Sequence, residues 1–111
     1  MLKIKNRKIY LTRGDTAYIE LKLRAKRDGE ELEFQEGDKI YFSVKEDVGA
    51  EDYLFQRVVN PGEVIVIEPS DTKQLDYGIY LYDIQVSTAM GEVFTVVEPT
   101  AFFLTEEITY E

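Results

Sequence analysis

The sequence predicts an all-β chain, an antiparallel β-sandwich of about 7–9 strands with Greek-key connections. Three observations carry that expectation. Residues 16–26 alternate between apolar and polar or charged side chains, the period-two pattern of a strand with one face buried. Strand-like runs recur between turn residues along the whole chain, and no 3.6-residue periodicity is sustained anywhere. Asp76, Gly78, Tyr80 and Tyr82 then stand at alternate positions at the entry of an aromatic-rich strand. That spacing suits a tyrosine corner, in which a Tyr hydroxyl ties back to the backbone just upstream.

The elements follow in order. Lys8-Ile9-Tyr10-Leu11-Thr12 reads as a strand stopped by Arg13-Gly14-Asp15. In residues 16–26, Ala17, Ile19, Leu21, Leu23 and Ala25 are expected on the inner face. Asp28-Gly29 is a preferred hairpin pair, and Leu32-Glu33-Phe34 returns from it. Glu36-Gly37-Asp38 turns the chain into a strand over residues 39–45, with Ile40, Phe42 and Val44 inward. Residues 46–52 form an acidic loop. Residues 53–59 make the next strand, ended by Asn60-Pro61-Gly62. Val64-Ile65-Val66-Ile67 is apolar on both sides, so one pair faces away from the core. Residues 69–75 offer a helical turn, with Ser70 as cap and Leu75 beneath it. The corner strand covers residues 78–87, with Tyr80, Tyr82, Ile84 and Val86 inward. Met90-Gly91-Glu92 turns into a strand over 92–98, Pro99 breaks it, and residues 101–104 form a last short strand. The core runs from about residue 8 to residue 104 of a single domain spanning 1–111, and residues 105–111 are a polar tail expected to fray.

Composition narrows the class. The chain has 111 residues, no Cys and no His, so its core must hold without disulfide staples. No apolar run has the ~20 residues of a membrane span. The opening residues lack a signal-peptide h-region. A cytoplasmic location is expected, unless the chain leaves the cell by lysis or as part of a particle. The formal charge of −9 is unevenly spread: residues 1–27 hold nine Lys or Arg and two acids, and the remaining residues four and twenty. An acidic chain of this kind repels nucleic acid and anionic membranes. Its basic first strands either pair with acidic neighbours inside the fold or meet the acidic face of another copy.

Little here points to a reaction. Without His or Cys, the commonest general base, metal ligand and thiolate nucleophile are all missing. No glycine-rich phosphate loop precedes a helix, and Ser43, Ser70 and Ser87 sit in no nucleophile elbow. No catalytic residue, cofactor, metal ligand or small-molecule substrate is expected. The acidic loops Asp47-Val48-Gly49-Ala50-Glu51-Asp52 and Asp28-Gly29-Glu30-Glu31 lack the alternating ligand spacing of a calcium loop. Arg13-Gly14-Asp15 matches an adhesive tripeptide, but a strand-joining turn accounts for the same residues.

The positive signal is for protein partners, further copies of the chain among them. In the corner strand Ile79 and Leu81 point outward. With Ile65, Ile67 and Phe103 they form the candidate interface, an apolar surface of the kind that marks contact sites. A second class of function is a carbohydrate-binding module, with Tyr41, Tyr53, Phe55 and Tyr77 as ring platforms and carboxylates bonding sugar hydroxyls.

Leu21 and Tyr82 fall where immunoglobulin domains place their two inter-sheet cysteines. The chain resembles that pattern through Gly14-Asp15, Ile19 and Leu21, and through Asp76, Gly78, Tyr80 and Tyr82, without either Cys or any Trp. A buried Leu–Tyr pair contributes roughly 3–5 kcal/mol by area, comparable to a disulfide. The chain also resembles small β-sandwich proteins of Firmicutes phages and prophages, in particular the N-terminal domain of baseplate upper proteins and related tail-associated modules. The residues that carry this are Leu11-Thr12-Arg13-Gly14-Asp15-Thr16, then Gly37 to Lys45. Pro69-Ser70-Asp71-Thr72, Leu75, Gly78 to Ile84 and Thr105-Glu106-Glu107-Ile108-Thr109 complete the set. The resemblance implies a non-enzymatic structural or assembly component of a virion, acting by protein–protein contact.

Overall fold

The computed structural model describes residues 2–22, 26–27 and 29–108. In chain order its strands are β1 (Leu2–Lys5), β2 (Lys8–Thr12), β3 (Ala17–Ile19), β4 (Lys26–Arg27), β5 (Glu30–Glu31), β6 (Lys39–Lys45), β7 (Phe55–Val59) and β8 (Ile65–Ile67). A one-turn helix α1 (Pro69–Thr72) precedes β9 (Gly78–Ser87) and β10 (Val93–Thr105). Six strands form one sheet in the order β1-β2-β10-β9-β6-β7; β3 pairs with β8, and β4 with β5. All pairs are antiparallel except β2 with β10.

Period-two alternation places the core. Ile9, Leu11, Ile40, Phe42, Val44, Tyr82, Ile84, Val86, Phe102 and Leu104 line the inner face of the large sheet, against Ala17, Ile19, Ile65 and Ile67 of β3 and β8. Each fully buried aliphatic or aromatic side chain stabilises the fold by roughly 1.5–3 kcal/mol. The rings meet at the centre: Phe42 lies 5.4 Å from Tyr82 and 6.3 Å from Phe55, and Phe55 meets Phe102 edge-on at 6.2 Å. These separations and tilts are those aromatic quadrupoles favour.

Two arginines tie the layers together. Arg57 of β7 reaches across the sandwich: its Nε donates to the Val66 carbonyl at 3.0 Å, and its Nη2 pairs with Asp71 of α1. Arg13, after β2, donates from Nε to Glu107 Oε1 at 2.8 Å and from Nη1 to the Leu75 carbonyl at 3.2 Å, and it lies 4.4 Å over the Tyr77 ring. The Arg13-Gly14-Asp15 tripeptide is therefore built into a structural turn, with Gly14 N donating to the buried Thr72 Oγ1 at 2.9 Å.

Several expectations are corrected. Residues 2–5 form a strand that was not among the expected elements; Asn6 and Arg7, at φ 51° and 66°, make the two-residue left-handed turn that joins it to β2. The predicted strand over 16–26 is regular only through Ala17–Ile19; Leu23 and Ala25 lie outside the described residues, as does Asp28 of the hairpin pair. Leu21 lies past the end of β3 and is only partly buried, so it is not a strand residue, although it lines the same cavity as Tyr82. The helix is capped by Glu68, in a capping box with Asp71, and Ser70 sits inside it. Pro99 does not end a strand: β10 runs on through it, with register shifts between Thr95 and Val97 and between Val97 and Thr100. Such bulges accept a residue that has no N–H to give to the ladder.

Candidate functional site

The corner rests on local geometry. The Tyr80 hydroxyl donates to the Asp76 carbonyl at 2.7 Å, four residues upstream. Gly78 between them has φ +154°, a conformation side-chain-bearing residues rarely adopt, with nothing within 4 Å of where a Cβ would stand. Backbone freedom, not space, explains this glycine. Tyr82, two residues on, is buried, and its hydroxyl donates to the Arg7 carbonyl in the β1–β2 turn. Burial pushes both phenols above the ordinary tyrosine value; for Tyr80 the nearby Asp76 and Glu46 charges add to it. For Tyr82 the Arg7 charge partly opposes the shift.

With Tyr82, Ile84 and Val86 pointing inward, Ile79, Leu81, Asp83, Gln85 and Ser87 of β9 must point out. This outer face has two zones. The first is an apolar strip at the end where β9 begins. Ile79 is paired with Phe103 of β10, and Phe103 with Tyr10 of β2, in one row across three strands. The Phe103 and Tyr10 rings stack with centroids 4.5 Å apart and planes 4° from parallel. Ile79 is 64% exposed. Leu81 continues the strip in the next outward row, and Lys3, opposite Tyr10, borders it on β1.

Of the five expected interface residues, Ile79, Leu81 and Phe103 come together here. Ile65 and Ile67 do not: both are fully buried, 0% exposed, in the core under the large sheet. The partly or wholly exposed pair of that run is Val64 and Val66. Parity within a four-residue apolar run is set by its partner sheet, which the run itself does not reveal.

The second zone is a groove of about 610 Å³ further along the same face. One row across β7, β6 and β9 forms its floor, with Gln56 opposite Ser43 and Ser43 opposite Asp83. Gln56 Nε2 donates to Ser43 Oγ at 2.8 Å. In the next row Tyr41 stands opposite Gln85, whose Nε2 donates to Thr95 Oγ1 at 3.2 Å. Tyr53 borders the groove from the loop before β7, with the Lys45 ammonium 5.1 Å from its ring centroid. That ammonium also donates to the Ala50 carbonyl at 2.9 Å, ordering the acidic loop. Burial raises the Asp83 carboxyl above its usual range, and the Lys45 charge offsets part of that.

The sequence-expected ring platforms divide. Tyr41 and Tyr53 line the groove. Phe55 is a core residue, and Tyr77 lies under Arg13, outside the groove lining. Asp83, Gln56 and Gln85 were not singled out, because only the strand register brings them side by side. Among the described residues no group of three or more Asp or Glu is arranged to hold a metal ion. No helix among them is long and apolar enough to cross a membrane. No family model, curated protein or solved structure matches the chain.

Proposed function

We propose that this chain is a non-enzymatic structural or assembly component of a phage or prophage particle, tail- or baseplate-associated, working through protein–protein contact. The observation that carries the reading is the strip of Ile79, Phe103 and Tyr10, an apolar row lying on the solvent face of a sheet whose core is on the other side. Rows of this kind, rimmed by polar groups, belong to interfaces. The fold supports the same class. Parallel β2–β10 pairing, the β10-β9-β6-β7 order and an opposed β3–β8 pair are compatible with an immunoglobulin-like Greek-key sandwich. The phage-module resemblance points the same way.

The partners are further copies or other virion proteins. Light scattering across concentration, at low and high salt, tests the self-associating form. Contacts through the strip persist at high salt, because apolar burial is not screened; contacts through the basic β1–β2 hairpin weaken. Association that Ile79→Asp abolishes supports the reading. A strict monomer at both salts, from a gene with no tail or capsid genes beside it, would overturn it.

A further inference from the structure

We propose that the groove beside the strip is a binding site for an uncharged oligosaccharide, held by Tyr41 and Tyr53 as ring platforms and by Gln56, Asp83 and Gln85 as hydrogen-bond partners. Sugar rings present two kinds of surface: C–H faces that stack on aromatic rings, and hydroxyls that both donate and accept. The groove offers both. Tyr53 is 53% exposed at its edge, an aromatic face at low entropic cost. The floor is polar. Gln56 and Gln85 each spend an amide N–H on a neighbouring hydroxyl, which holds the amide in place and leaves its oxygen as an acceptor. The Asp83 carboxylate lies between Ser43 and the β10 bulge with no hydrogen-bond partner among the described residues.

Charge selects among ligands. The charged side chains around the groove are Lys45, Asp47 and Asp83, too nearly balanced to hold a strongly charged ligand. The −9 of the whole chain repels polyanions. A protein partner seated here would meet a polar row at the centre, where interface cores are depleted of charge. The volume of about 610 Å³ falls within the range of sites for small ligands. Two elements flank the site: β10, whose register shifts twice on one side, and the 46–54 segment, whose Asp47, Val48 and Tyr53 line it on the other. The ligand is bound and not transformed, and the site meets the apolar strip only at Leu81.

The test is an array of neutral and acidic oligosaccharides, followed by calorimetric titration of the neutral gluco-, xylo-, manno- and N-acetylglucosamine oligomers into the full chain. Binding of a neutral oligomer, weakened at least about tenfold by Tyr53→Ala and by Asp83→Ala and unchanged by Ile79→Ser, is the expected result. Chemical-shift mapping on the unsubstituted protein reads the same site without a variant, and the shifts should centre on Tyr41, Ser43, Gln56, Asp83 and Gln85. Silence across all sugars overturns the proposal. So does binding confined to acidic sugars, binding that survives both groove substitutions, or shifts elsewhere on the surface. Self-association that the groove variants abolish, with no sugar bound, assigns the groove to a second copy and overturns it as well.

Discussion

The Tyr82 hydroxyl donates to the backbone carbonyl of Arg7, 75 positions earlier in the chain. Tyr80, two residues before it, makes the local version of the same bond, to the Asp76 carbonyl four residues upstream. One phenol closes a corner, and the other pins a strand in the middle of the sheet to the hairpin at its edge. The two should differ in worth. Tyr80→Phe removes a bond near solvent, where water can replace it, and should cost about 0.5–1 kcal/mol. Tyr82→Phe removes a bond from a buried side chain and leaves a carbonyl without its partner, and should cost about 1–2 kcal/mol. Denaturant unfolding of the two variants measures the order; a larger loss for Tyr80→Phe contradicts it.

The same two phenols set an alkaline limit. Both have folded values raised above the free value of 10.0, chiefly by burial. The folded state therefore holds their protons more tightly than the unfolded state. Their contribution is fully present below 10.0 and is lost as pH rises through the folded value. Unfolding midpoints followed from pH 8 upward, to about pH 11, should fall less steeply in Tyr82→Phe than in the parent. Parallel curves would show that Tyr82 does not drive the loss.

For two strands the periodicity was enough, though the equally regular alternation over 16–26 yielded only Ala17–Ile19. The alternation of Ile40, Phe42 and Val44 gave both the bounds and the inward face of β6, and the corner residues did the same for β9. At β1 it was not enough, because Leu2-Lys3-Ile4-Lys5 alternates over only four residues. Lys3, Ile4 and Lys5 are all exposed, and β1 is held by backbone pairing to β2 instead of by a buried face. Arg7 at positive φ carries no turn signal of its own. The groove was half legible. Tyr41 and Tyr53 could be picked out as rings, but Asp83 joins Ser43 and Gln56 only through strand pairs that span some 40 residues. Single-strand patterns contain nothing of that register.

Arg57 is the residue on which the two layers most directly share a side chain. It bonds Val66 of β8 and Asp71 of α1 from a place on β7. A lysine there keeps the charge but has no planar fork to reach both partners. Arg57→Lys should cost about 1–2 kcal/mol, and Arg57→Ala about 2–3 kcal/mol, the scale of hydrogen bonds to charged groups lost from a partly buried position. Thermal unfolding of both variants checks the order. An Arg57→Lys variant as stable as the parent would show that one of the two bonds contributes nothing.

Asp83 should behave in the opposite way, because in the proposed sugar site its carboxyl serves a ligand and not the fold. Burial raises its folded value above the free value of 3.8, with Lys45 pulling the other way. The folded state thus holds this proton more tightly than the unfolded chain does. Above the folded value the ionised carboxylate weakens the fold; as pH falls through that value the penalty shrinks, and below 3.8 it is gone. Asp83→Asn removes the charge without changing the shape. It should stabilise the protein at neutral pH by a few tenths of a kcal/mol, about the size expected of a partly exposed substitution. That gain should vanish in acid. Unfolding of parent and variant at pH 7 and at a pH below 3.8 isolates the group, because the other carboxylates titrate alike in both. A variant less stable than the parent at neutral pH would mean that the Asp83 carboxylate supports the sheet through Lys45, and that its place in the groove is structural.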